Sequence, residues 1–343
     1  MWDKDSLRGN WGLRVFLHLL ARIFRVVVLL RGILFESGIF KATPLGRKTI
    51  SVGNITVGGT GKTPFVILLA RLLSRGGRSV VVLSRGYAAR RGEMADEEKV
   101  LRELLPEVPV VVNADRRRAA RDFLGKADGD VFLLDDGFQH RQARRDLDIV
   151  LLDATCPFGN GNLLPRGILR EPCEALGRAG LIVLTHSNET SAEQIAWLRG
   201  ECERLAPQAP VIQAAHVAIG VSSLDQLERR WPLEMLRGPV GACSAIGSPR
   251  GFFQTLEDCG AEIVVERIFA DHHDLTAEEV GELCQACRER GVRKLVVTHK
   301  DAVKMRRHLG LFGEIEVLVL HVEMRILYGE TELVSSLDRL FAA

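Results

Sequence analysis

The sequence predicts an α/β protein built on a parallel sheet with helices on both faces. Two observations carry this. Runs at 48–52, 79–83, 108–112, 131–134, 149–152 and 181–184 are apolar without alternation. A strand wetted on one face alternates polar and apolar residues, so continuous apolar runs mark strands buried on both faces. Helical stretches separate these runs, and a repeating strand–helix–strand order builds a parallel sheet.

The first strand, 48–52, leads into a glycine-rich turn and then a helix over 62–74. A second and smaller α/β series follows, with strands at 241–245, 262–265 and 294–298 and helices at 250–259 and 276–290. The stretches 211–223 and 315–322 are candidates for the connection. At 343 residues the chain exceeds an average domain. The expected layout is a helical segment at 1–40, a core domain at 41–210, a linker at 211–235, a smaller α/β domain at 236–325 and a C-terminal helix at 326–343.

The segment 11–34 is apolar but interrupted by charge. Arg14, His18, Arg22 and Arg25 recur at helical spacing and fall in one stripe, with Trp11, Val15, Phe16, Leu19, Ile23 and Val27 around it. The uncharged stretch 26–30 is far too short to span a bilayer. The arginines also break any signal-peptide core. Two readings remain: a helix lying in a membrane interface with its arginines at anionic headgroups, or an amphipathic helix packed on the core.

Composition narrows the class. A net charge of +2 argues against a general nucleic-acid binder, and no obligate protein partner is evident. Seven cysteines without regular spacing do not form a disulfide framework and fit a reducing compartment. Cys284 and Cys287 have no second ligand pair, so they read as two helix positions one turn apart.

Chemistry first appears at Gly53-Asn54-Ile55-Thr56-Val57-Gly58-Gly59-Thr60-Gly61-Lys62-Thr63, between a strand and a helix. That is the context of a phosphate-binding loop. The glycines let backbone N–H groups approach phosphate oxygens, and the helix N-terminus adds positive potential. Lys62 suits the β- and γ-phosphates, and the Thr63 hydroxyl suits Mg²⁺. Asn54, Thr56, Val57, Gly58, Gly59, Thr60 and Gly61 complete the nucleotide-binding set. The loop departs from the general pattern at Thr56, where glycine is usual. After the apolar strand 131–134 come Asp135 and Asp136, in the place where carboxylates hold Mg²⁺ beside such a loop.

The ordered motifs GNITVGGTGKTP (53–64), LSRGY (83–87), DDGFQHR (135–141), PFGNGNLLPRGILREP (157–172), FADHHD (269–274) and THKDAVK (298–304) together resemble the tetraacyldisaccharide 4′-kinase family, the lipid A kinases of Gram-negative bacteria. Thr56 is itself typical of that family. The resemblance implies a phosphate-loop NTPase-like core. It implies ATP- and Mg²⁺-dependent phosphorylation of the 4′-hydroxyl of a tetraacyldisaccharide 1-phosphate at the cytoplasmic face of the inner membrane. It favours the membrane reading of the N-terminal helix. It further implies a catalytic aspartate, matched here by Asp96, working with a histidine matched by His272 beside His273. Alanine replaces glycine before Asp96, and His299 stands where glutamate is expected. With the two groups assigned to different domains, they are expected to meet on closure of a cleft, which would also exclude water. Arg85 and Arg170, whose guanidinium forks suit phosphate, and His140 are the candidate substrate-binding groups.

Other readings are a GTPase or metallochaperone, a non-catalytic nucleotide-binding module at a membrane, and a soluble small-molecule kinase. Thr185-His186-Ser187-Asn188 follows the strand 181–184 and lacks the lysine and aspartate that read guanine. The non-catalytic module has no use for an acidic base. The small-molecule kinase has no use for an arginine-striped apolar helix.

Overall fold

A computed structural model of the chain describes residues 11–342 except 87–93, 95, 248 and 272. In chain order the elements begin with α1 (Trp11–Glu36), β1 (Lys48–Asn54), α2 (Lys62–Arg75), β2 (Val80–Ser84) and α3 (Asp96–Leu104). Next come β3 (Val110–Val112), α4 (Arg116–Leu124), β4 (Val131–Asp135), β5 (Leu147–Asp153), β6 (Leu181–Thr185) and α5 (Ala192–Leu205). They continue with β7 (Val211–Ser223), β8 (Gln226–Trp231), β9 (Gly238–Ser244), α6 (Pro249–Asp258), β10 (Ala261–Ile268) and α7 (Ala277–Glu289). The last are β11 (Lys294–Thr298), α8 (His299–Met305), β12 (Glu316–Tyr328) and α9 (Glu330–Ala342).

These elements form two compact units. The first holds residues 1–86, 105–215 and 326–343, and the second holds 87–104 and 216–325. The stretch 211–235, expected as a linker, is instead the long strand β7 and the hairpin strand β8. Residues 87–104 group with the second unit, and α9 groups with the first.

In the first unit the strand order is β7-β6-β5-β1-β4-β2-β3, parallel throughout. The apolar runs are buried along their length, as two-faced burial requires. One side packs Ile55, Phe138, Val150, Leu152, Ile182 and Leu184. The other packs Val81, Leu83, Ala119, Phe132 and Leu134. Phe132 is fully buried, and truncation to alanine there would cost about 3–5 kcal/mol. β1 and β4 are neighbours in register from Lys48 opposite Val131 to Val52 opposite Asp135. Both strands therefore end at the same edge, where the phosphate loop and the acidic pair begin.

Close approach at that edge depends on glycine. A Cβ at Gly53 would lie 2.5 Å from Phe138 Cβ, and one at Gly137 would lie 2.6 Å from Leu134 Cβ. The turn after β4 thus fits against β1 only without side chains at these two positions.

The second unit has the parallel order β10-β9-β11-β12, with β8 antiparallel to the distal part of β7. Its core includes Cys243, Cys284 and Cys287, all buried among Val280, Leu283 and Leu295. The CxxC pair is therefore core packing on α7. α7 itself starts with a reciprocal cap between Thr276 and Glu279.

α1 forms as expected, with a refinement. Arg14, Arg22 and Arg25 are exposed, whereas His18 is half-buried and contacts Arg166 at 2.5 Å through Nδ1. Phe24 packs on the core. Phe16, Leu19, Ile23, Val26, Val27 and Leu30 stay more than half exposed, forming an apolar face without cover among the described residues. No helix of the described residues is long and apolar enough to cross a membrane.

Candidate active site

The loop after β1 is shaped by one left-handed turn and a buried amide. Gly61, at φ 77°, precedes Lys62 and reverses the chain into α2; Gly58 sits at φ 118°. Both values lie where side-chain-bearing residues are strained. Asn54 is fully buried, and its Nδ2 donates to Thr60 Oγ1 at 2.9 Å. The Thr60 carbonyl accepts from Thr185 Oγ1 at 3.1 Å. The loop is therefore held from inside, leaving Gly58 and Gly59 exposed.

A second segment closes over the first. Val57 N–H donates to Ile168 O at 2.7 Å, and Arg170 N–H donates to Ile55 O at 2.7 Å. This places Arg170 beside the acidic pair. Its Nη1 reaches Asp136 Oδ1 and Oδ2 at 3.0 and 2.9 Å, and Gln139 Oε1 at 3.3 Å. Lys62 Nζ lies 3.7 Å from Asp136 Oδ1. One carboxylate thus faces two cations, one from the phosphate loop and one from the 157–172 segment. Burial alone would raise the pKa of Asp136, but Lys62, Arg170 and Arg116 overcome it and hold the group below the usual carboxylate range.

Asp135 ends β4 and is buried. Arg116, almost fully buried, donates from Nη2 to Asp135 O at 3.2 Å and from Nη1 to Ala114 O at 3.2 Å. Thr63 lies half-buried in the first turn of α2. Gln139 Nε2 donates to Asn54 O at 2.7 Å and to Glu171 Oε1 at 3.1 Å, bracing the turn after β4 against the phosphate loop. Arg178 stacks over Phe138, 4.1 Å from the ring centroid, and pairs with Glu171.

The structure gathers Lys62, Asp135, Asp136 and Arg170, four of the residues singled out from sequence. His140 follows them in the same turn. Burial first, then Arg116, pushes its pKa down to about 4, so the ring is neutral near pH 7. Its Nε2 is buried with no hydrogen-bond partner among the described residues. Arg85 is exposed at the end of β2. Asp96 opens α3, but its side chain lies outside the described residues, as does the whole of His272. Asp96 falls in the second unit rather than in the core domain expected from the sequence. The adjacent His273 is committed elsewhere: Nε2 lies 2.9 Å from Glu279 Oε1, and the ring stacks on Phe269 at 5.0 Å.

Sequence reasoning passed over Arg116, and placed Gln139 and Glu171 within motifs without giving either a role. Arg116 stands first in an Arg-Arg-Arg run at a helix start, which reads as a solvated face. Only tertiary packing distinguishes it from Arg117 and Arg118.

Comparison with known proteins agrees with this geometry. Residues 13–342 match the family model described as tetraacyldisaccharide-1-P 4′-kinase. A tetraacyldisaccharide 4′-kinase of Anaeromyxobacter dehalogenans (strain 2CP-1) is 39% identical over 337 residues, covering 93% of this chain and 88% of that protein. One from Geobacter metallireducens is 38% identical, covering 91% and 95%. The crystal structure of LpxK from Aquifex aeolicus in complex with ATP superposes with a TM-score of 0.73 at 29% identity, covering 96% of this chain and 99% of that one. A nucleotide loop, an acidic strand end and a family match along almost the whole sequence lead to one statement: this chain belongs to the tetraacyldisaccharide 4′-kinase family.

Proposed function

We propose that the chain transfers the γ-phosphate of ATP to the 4′-hydroxyl of tetraacyldisaccharide 1-phosphate, giving the bis-phosphorylated lipid A precursor. The observation that carries this is the meeting of Lys62, Asp136 and Arg170 at the mouth of the glycine loop. A cation on each side of one ionised carboxylate is an arrangement built for a polyphosphate with its metal.

Phosphoryl transfer is mostly positioning and charge neutralisation. The N–H groups of 57–63 cradle phosphate oxygens at the start of α2, and Lys62 neutralises the transferring group. Thr63, Asp135 and Asp136 are the residues that would hold Mg²⁺. A hydroxyl and two carboxylates are hard oxygen donors, and Asp136 is kept ionised by its neighbours, which fits the ion. Held by these three residues, Mg²⁺ would supply positive charge to the polyphosphate. Arg170, tied by its backbone to the phosphate loop, binds oxygens at the transferring end. Arg85 and His140 contact the substrate.

A sugar hydroxyl needs a proton acceptor as it attacks. Asp96 takes that proton, and His272 orients the carboxylate. The engagement of His273 with Glu279 and Phe269 supports the choice of His272. The metallochaperone reading loses its ligands, since Cys284 and Cys287 are core residues. The apolar outer face of α1, flanked by Arg14, Arg22 and Arg25, lies in the interface at the cytoplasmic face of the inner membrane, where the lipid substrate resides.

Labelled ATP, Mg²⁺ and tetraacyldisaccharide 1-phosphate in detergent test this directly. Wild type labels the lipid. Asp96→Asn loses about 10²- to 10⁴-fold in kcat while still binding ATP. A wild-type protein that hydrolyses ATP without labelling the lipid would sink the kinase assignment. An Asp96→Asn protein at full rate would remove Asp96 as the base.

A further inference from the structure

The motif 298–304 has no part in the mechanism above, yet it sits at a junction within the second unit. Thr298 caps α8: its Oγ1 accepts from Asp301 N–H at 3.2 Å and donates to Asp301 Oδ2 at 2.7 Å. Asp301 Oδ2 also accepts from Ala245 N–H at 3.2 Å, so the start of α8 is fixed to the end of β9. From this fixed base the next side chains reach two different segments.

One segment is α3, which begins at Asp96. Lys300 Nζ lies 3.5 Å from Glu97 Oε1. His299 Nε2 lies 3.2 Å from Glu103 Oε2, and Arg306 Nη1 lies 3.8 Å from Glu103 Oε1. Both ends of α3 are therefore held, and Leu101 between them is fully buried. The other segment is 271–273. The same Lys300 Nζ donates to Asp271 Oδ1 at 3.2 Å, and Lys304 Nζ donates to His273 O at 3.1 Å. One ammonium thus contacts the residue after Asp96 and the residue before His272.

We propose that Lys300 is a positioning residue: it ties the segment bearing Asp96 to the segment bearing His272 and so fixes the spacing of the two reacting side chains. This rests on the assignment of those two groups made above. Lysine suits the task, because three donors on one small head can bridge two carboxylates from different directions. Asp271 and Glu97 carry the load on either side. Lys304 holds the backbone just beyond His272, so the segment is gripped on both flanks. The ion pairs are partly exposed, and such pairs add little to stability. Their effect falls on geometry, where a displacement of about 1 Å costs up to roughly 100-fold in rate.

Four full-length proteins decide it: wild type, Lys300→Met, Asp96→Asn and the double variant, with Lys300→Arg beside them. For Lys300→Met the expected result is a loss of roughly 10- to 100-fold in kcat, with KM for ATP and for the lipid unchanged. The melting temperature should stay within about 2 °C of wild type. Adding Lys300→Met to Asp96→Asn should cost nothing more, because the group being positioned is already gone. Lys300→Arg, which keeps the charge and the donors, should recover much of the rate. A wild-type kcat in Lys300→Met overturns the proposal. So does a loss that multiplies undiminished in the Asp96→Asn background, or one that tracks a fall in melting temperature. If Asp96→Asn runs at full rate, the base assignment itself is lost and the proposal falls with it, a result told apart by that single variant.

Discussion

Two aspartates, the half-buried Asp136 of the first unit and the fully buried Asp301 of the second, show how surroundings decide what a carboxyl does. Asp136, in the turn after β4, faces Lys62 and Arg170 and is held below the usual carboxylate range despite its burial. Asp301, in the first turn of α8, is buried more completely. Burial pushes its pKa up, with Thr298 and the Ala245 N–H offsetting only part. The first is kept as an anion and suits a metal and a polyphosphate. The second serves as a hydrogen-bond acceptor that anchors a helix. Loss of hydration pushes both carboxyls upward, and the close pairing of Asp136 with Lys62 and Arg170 is what reverses the sign there.

The sharpest way to break this comparison is to remove charge while keeping shape. Asp136→Asn should lower kcat by about 10²- to 10³-fold in the lipid phosphorylation assay. Asp301→Asn should leave kcat close to wild type. Equal losses in both would mean that the two carboxylates do the same work. Next in size is Arg170→Met, which removes one cation from Asp136. It should cost roughly 10- to 100-fold in kcat, the range that one charged hydrogen bond commands.

A smaller effect lies in stability against pH. The folded pKa of Asp136 is depressed, so its contribution is present above the ordinary value of 3.8 and lost as pH falls through the folded value. Asp136→Asn should therefore be less stable than wild type at pH 7, with the gap closing in acid. The folded pKa of Asp301 is raised, so wild type loses stability as pH rises from the ordinary range through the folded value. Asp301→Asn should gain on wild type as pH rises. Urea midpoints between pH 3 and pH 8 should thus give difference curves of opposite slope. The smallest effect concerns His140, whose pKa burial pushes down to about 4. Its ring is neutral over the working range, so His140→Asn should leave the acid limb of the pH–rate profile where it was, whatever its rate.

Much of this was legible in the sequence where chemistry is contiguous. Gly58 to Thr63 and Asp135–Asp136 each announce themselves within a few residues of a strand end. The unalternating strands gave the parallel sheet. What stayed hidden depends on contacts distant in sequence. The pairing of Arg170 with Asp136 crosses 34 positions. It exists because backbone bonds at Ile55 and Val57 draw the 157–172 segment in. Arg116 looks like Arg117 and Arg118 until folding buries it and sets its guanidinium on the Asp135 and Ala114 carbonyls. The assignment of 87–104 to the second unit was equally invisible, since local pattern does not say which body a helix packs on. The stretch 211–235 looked like a linker because no pattern of length reveals that one strand carries the chain from one unit to the next.

The backbone bonds between 55–57 and 168–171 carry one more consequence. The Ile55 carbonyl accepts from Arg170 N–H at 2.7 Å and from Glu171 N–H at 3.4 Å, while Val57 N–H is bound by Ile168 O. The nucleotide loop and the arginine segment are therefore one piece of backbone. A ligand that shifts either strand of this small ladder changes affinity at the other. Thermodynamic reciprocity makes any such coupling equal in both directions. Were the two substrates of this kinase to seat on opposite strands of the ladder, the exchange of the Val57 and Arg170 amides would gauge their coupling.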